Sequence, residues 1–131
     1  MKAWSSNVES AVATTGRVLL AALFLVSGVQ KLFVPTMIQG YIASVGLPFP
    51  LLVYVLTLVI EIGVGALLLV GFRTRLAAVV LAVFTVVAAM LFHRNLGDPN
   101  QFVHFMKNIA IAGGLLHVAA RGTESFSLRP K

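Results

Sequence analysis

Residues 51–71 read LLVYVLTLVIEIGVGALLLVG, with Glu61 the one charged side chain among them. Crossing the hydrocarbon of a bilayer takes about 20 apolar residues in a helix. The stretch has that length, so it reads as a transmembrane span. A lone carboxylate near its centre is costly in lipid and demands a partner. Two questions follow: what Glu61 meets, and what the meeting is for.

Three more segments, 15–34, 74–92 and 102–121, have the same length and apolar character. The breaks between them are clear. Pro35 opens the first connection, and Pro48 and Pro50 close it. Gly71-Phe72-Arg73-Thr74 is a tight turn with Thr74 as a helix N-cap candidate. Residues 95–100, NLGDPN, are turn chemistry throughout. Strands of a membrane barrel would alternate in runs of about ten residues, which these segments do not. The expectation is an all-α integral membrane four-helix bundle, one domain over 1–131, with a polar tail at 122–131.

Composition agrees. The chain of 131 residues is 59% hydrophobic and 11% charged, with a mean hydropathy of +0.97. A soluble domain carries roughly 25% charged residues. The net charge of +6 is spread thinly and forms no basic stripe of the kind nucleic acid requires. No cysteine is present, which excludes disulfides, thiol chemistry and cysteine-held metal clusters. The first hydrophobic segment carries Arg17 and Lys31 and lacks a small-residue cleavage site, so it does not read as a signal peptide. Lys2, Arg17, Arg73, Arg75, Arg121, Arg129 and Lys131 fall on one side of the spans, against Lys31, Arg94 and Lys107 on the other. The positive-inside rule then places both termini in the cytoplasm. Trp4 reads as a headgroup-level anchor.

Polar residues in a span face protein or water rather than lipid. Helical spacing predicts four inward stripes: Arg17, Ala21, Phe24, Gly28 and Lys31; then Tyr54, Thr57, Glu61 and Gly65; then Ala78, Ala82, Thr85, Ala89 and His93; then Lys107, Ala110, Gly114 and His117. Lys31 and Lys107 lie roughly 10 Å and 8 Å outward of their span centres at the α-helical rise. Glu61 is therefore expected to meet Lys31, Lys107 or both, with Asn108 or water completing its hydrogen bonds. Such a group fixes helix positions or binds a ligand. Two lysines against one carboxylate favour a small anion, while Lys, His or Asn in an apolar bundle also suits a quinone carbonyl. His93 and His104 lie near the outer surface without a third ligand or a spacing motif, so no metal site is assigned. His117 reads as a packed polar residue.

The stretches GRVLLAALFLVSGVQKLF (16–33), IEIGVGALLLVGFRTRLAA (60–78), FH (92–93) and KNIAIAGGLL (107–116) together resemble the DoxX family of small bacterial and archaeal four-helix membrane proteins. That resemblance covers nearly the whole chain and implies a multi-pass protein of the cytoplasmic (inner) membrane. It places Ser27, Gly28, Lys31, Glu61, Thr74, Arg75, Lys107 and Asn108 at the family's characteristic positions. Of these, Gly28, Thr74 and Arg75 are read as structural. Ser27, Lys31, Glu61, Lys107 and Asn108, with His93, are read as candidates for binding a substrate or quinone. Family members are associated with quinone-linked oxidoreductase complexes, so the resemblance implies a membrane subunit with other redox subunits as partners. The sequence contains no domain for a flavin or cluster, and a bound quinone or a partner would carry the electrons. A non-catalytic scaffold for partner proteins and a small anion transporter are the alternatives. The short bundle also leaves room for a homo-oligomer.

Overall fold

Proline and small polar residues set the helix starts. In the computed structural model, which describes residues 5–122, Ser5 caps helix α1 (Ser6–Leu32) by accepting from the Val8 amide at 3.2 Å. Pro35 begins a short helix α2 (Pro35–Ser44) and Pro50 begins α3 (Pro50–Val70), where a missing N–H costs nothing. Helix α4 (Thr74–Phe92) follows a tight turn, and Asp98 caps α5 (Pro99–Arg121) by accepting from Asn100 N at 2.9 Å. Helices α1, α3, α4 and α5 are each long and apolar enough to cross a membrane. The described residues contain no strand.

Three boundaries differ from expectation. Helix α1 starts nine residues before position 15; its 27 residues span about 40 Å at 1.5 Å each, more than the hydrocarbon needs. Residues 35–50, expected as a loop, contain α2. Thr74 is the first residue of α4 and fully buried; Arg73, in the left-handed region at φ 56°, is the cap. Gly71 closes α3 at φ 76° with its amide on the Leu67 carbonyl at 3.0 Å, the left-handed geometry that glycine adopts without strain. Trp4 and the tail beyond Gly122 lie outside the described residues.

Three of the expected stripes face inward. Arg17, Ala21, Phe24 and Gly28 are the buried residues of α1. Tyr54, Glu61 and Gly65 are buried on α3, and Ala78, Ala82, Thr85 and Ala89 on α4. The fourth stripe does not. On α5 the buried residues are Ala112 and Leu115, whereas Lys107, Ala110 and His117 are exposed. One residue of offset turns a helix by about 100°. Both registers offer small residues, so packing volume decides: Leu115 and Ala112 join the core, with Ile111 against them.

That core joins Ala21, Phe24, Leu68, Ala77, Ala78, Leu81, Ala82, Ala112 and Leu115. Most of these lie toward the end of the bundle at the Gly71 turn, and Phe24 also lines the cavity. The other end opens around a cavity. The bundle is thus a tight plug at one end and a cup at the other.

Candidate functional site

Glu61 lies within a π-helical turn, residues Val59–Val64, inside α3. Such turns are rare and recur at functional positions. The α3 backbone reaches α1 there because Gly28 has no side chain. A Cβ on Gly28 would stand 2.5 Å from Ile62 Cγ1 and 3.2 Å from Glu61 Cβ. This close approach brings the Glu61 carboxylate within reach of two α1 side chains one turn apart.

Lys31 Nζ lies 2.9 Å from Glu61 Oε1. The Ser27 hydroxyl donates to Glu61 Oε2 at 3.1 Å, and Lys31 Nζ donates to Ser27 Oγ at 2.6 Å. Both carboxylate oxygens are thereby occupied; the Glu61 side chain is buried at 7% exposure and that of Lys31 is half-buried at 25%. Tyr54 donates to the Lys31 carbonyl at 2.7 Å, tying the end of α1 to α3. Arg17, deep in the plug, donates from Nη1 to the carbonyls of Leu68 at 3.0 Å and Leu69 at 3.1 Å. These belong to the last turn of α3, where carbonyls lack helical donors.

The triad sits on the wall of a cavity of about 510 Å³, within the range of roughly 300–1,000 Å³ typical of small-molecule sites. Its walls are chiefly apolar, and its polar lining includes Ser27, Lys31, Glu61, Thr85, His93 and Asn108. Thr57 and Thr85 donate their hydroxyls to Val53 and Leu81 one turn back. Asn108 donates weakly to the Thr85 carbonyl at 3.4 Å and lines the cavity. Leu23, Leu56 and Val87 line the cavity and are also exposed, so the cavity is open along these helices. They mark a lateral edge toward lipid.

Of the sequence-derived candidates, Ser27, Lys31, Glu61, His93 and Asn108 come together around this cavity. Lys107 does not: it is exposed on α5 and does not line the cavity. His93 stands at the mouth with His104 stacked on it at 5.1 Å. Burial, and then the charge of His104, hold the His93 pKa below its usual value. The described residues contain no group of three or more metal-ligating side chains. Thr74 and Gly28 have the structural surroundings expected of them, and Arg75 lies against Gly122 at the end of α5.

Tyr41 was beyond sequence reasoning. It sits in α2, lines the cavity, stacks on Phe92 at 5.3 Å and donates to the Phe92 carbonyl at 3.2 Å. Residues 35–50 show no span-length periodicity, and no local signal announces a helix that folds over the cup.

Fold and site define an integral membrane four-helix bundle with a part-buried ion pair on the wall of an apolar, ligand-sized cavity. The family model DoxX matches residues 12–94. Inner membrane protein YqjF of Escherichia coli (strain K12) is 34% identical over 122 residues, covering 93% of this chain and 92% of the relative. Inner membrane protein YphA of the same organism is 32% identical over 118 residues, covering 86% and 84%. No solved structure matches significantly. The chain belongs to the DoxX family and is a multi-pass protein of the inner membrane.

Proposed function

We propose that this chain is the ligand-holding membrane subunit of a quinone-linked oxidoreductase complex, its cavity taking the head of a quinone against Lys31, Ser27 and Asn108. The observation that carries this reading is the placement of an internally paired Lys31–Ser27–Glu61 triad on the wall of an otherwise apolar cavity. Lys31 and Glu61 cancel as charges, and Lys107 points elsewhere. The positive excess that favours a small anion is therefore missing from the cavity.

A neutral, lipophilic molecule with carbonyl acceptors fits these walls. An ammonium and an amide can donate to its head, and the apolar lining accommodates the ring and tail. The lateral edge at Leu23, Leu56 and Val87 suits a ligand that arrives through lipid. A bound quinone supplies two-electron chemistry with a partner subunit. The residues of this chain orient the head and exclude water from it.

The test is purification in gentle detergent from the native host, with solvent-extracted small molecules and copurifying chains identified by mass spectrometry. A quinone at near one per chain, lost in Lys31→Met, supports the reading. A protein that travels alone, carries no quinone and conducts an anion across vesicles overturns it in favour of transport. Loss of partner proteins without any bound ligand would identify a scaffold.

A further inference from the structure

A second cleft, of about 330 Å³, lies between α1 and α5 at the opposite end of the bundle. Ala13, Gly16, Arg17 and Leu20 line it from α1, and Gly114, His117, Val118, Arg121 and Gly122 from α5. We propose that this cleft binds one anionic phospholipid, its phosphate at Arg121 and His117 and an acyl chain along Gly16 and Leu20. The site is separate from the quinone cavity and does not rest on that reading.

Register supplies the first argument. His117 and Arg121 are four residues apart and so lie on one helix face, about 6 Å apart in depth. Arg121, in the last turn of α5, sits at headgroup level, and His117 sits one turn deeper, where the glycerol esters of a lipid lie. His117 is exposed on its helix. An uncovered imidazole at that depth is better placed against ester and phosphate oxygens than against hydrocarbon.

Charge supplies the second. Arg17 is 3% exposed and fixed by the Leu68 and Leu69 carbonyls, so its positive charge cannot swing away from the cleft floor. Arg75 lies behind Gly122. No acidic residue among those described lines the cleft; Glu9 is one turn beyond Ala13 on α1. Basic pockets between spans at the positively charged side of a bundle suit anionic headgroups.

Shape supplies the third. A Cβ at Gly16 would meet nothing within 4 Å, and one at Gly114 would meet only the Leu20 side chain, at 3.7 Å. The cleft is therefore open beside Gly16, whereas Leu20 already covers Gly114, so an acyl chain has room on the α1 side.

The experiment is native mass spectrometry of the full chain released from nanodiscs holding equal phosphatidylglycerol and phosphatidylcholine. Wild type should retain one phosphatidylglycerol in preference to phosphatidylcholine. Arg121→Gln should cut that preference by about fivefold, the effect of one basic side chain beside an anionic headgroup. Gly16→Leu keeps every charge, fills the open space beside Gly16, and should lose the lipid as well. Arg94→Gln, at the other end, should retain it. Equal retention of the two lipids by wild type overturns the proposal, as does unchanged preference in both cleft variants. Displacement of the lipid by millimolar inorganic phosphate alone, with Gly16→Leu unaffected, would reduce the site to a phosphate pocket and overturn it too.

Discussion

The ammonium of Lys31 touches both Glu61 and Ser27, at 2.9 and 2.6 Å, from a position one helical turn beyond Ser27 on the same helix. The carboxylate that stands alone in the sequence of α3 is thus neutralised from α1, across a contact that exists only because Gly28 admits the α3 backbone.

Removing one member of this pair strands the other. Lys31→Met should destabilise by about 3–5 kcal/mol, the usual cost of an uncompensated buried charge, and Glu61→Leu by less, because the Lys31 side chain it strands is 25% exposed. The double variant should recover most of that loss. A double-mutant cycle on thermal unfolding in detergent micelles reads the coupling; additive effects would sink the pairing.

Lys107→Ala should leave stability within roughly 0.5 kcal/mol of wild type, as exposed positions do. It should also leave ligand retention by the cavity unchanged. A loss of bound ligand equal to that of Lys31→Met would place Lys107 in the site after all, and the same purification measures it.

Gly28→Ala adds a methyl where Ile62 already stands. Because Ile62 Cγ1 sits close to its own backbone, the helices must separate, at about 1–3 kcal/mol for overpacking. The sharper readout is at the site: separation lengthens the Lys31–Glu61 contact, so Lys31→Met should cost less in the Gly28→Ala background than in wild type. Equal costs in both backgrounds would argue against this route.

His93 predicts a pH dependence. Its folded pKa lies below the ordinary histidine value, first through burial and then through His104. The unfolded chain therefore binds a proton that the folded one does not, over the window from about 6.5 downward to the depressed folded value. Stability should fall as pH drops through that window and level off below it. Unfolding temperatures measured from pH 8 to pH 4 should show the step, and His93→Gln should flatten it. A step that survives His93→Gln would assign it to another group.

Local sequence determined a great deal. Span count and character follow from four apolar runs long enough for the hydrocarbon, because lipid leaves an isolated backbone no other way to satisfy itself. The stripes on α1, α3 and α4 were legible because each alternates one small or polar face with bulky residues, so helical spacing alone selects the inward side. The partner of Glu61 was legible to within two lysines, and the start of α4 at residue 74 to the residue, though not its capping.

What only the tertiary structure decided is rotation and depth. On α5, Lys107, Ala110, Gly114 and His117 and the adjacent Asn108, Ala112 and Leu115 are comparably spaced, and no local signal ranks them. The space left by α4 does: it accepts Leu115 and Ala112, turns Asn108 to the cavity and leaves Lys107 and His117 outside. The same holds for Tyr41, which reaches the cavity only because α2 folds back across the open end. Hydrophobic spacing is a property of one helix, whereas which residue closes a cavity depends on volumes contributed by all of them at once.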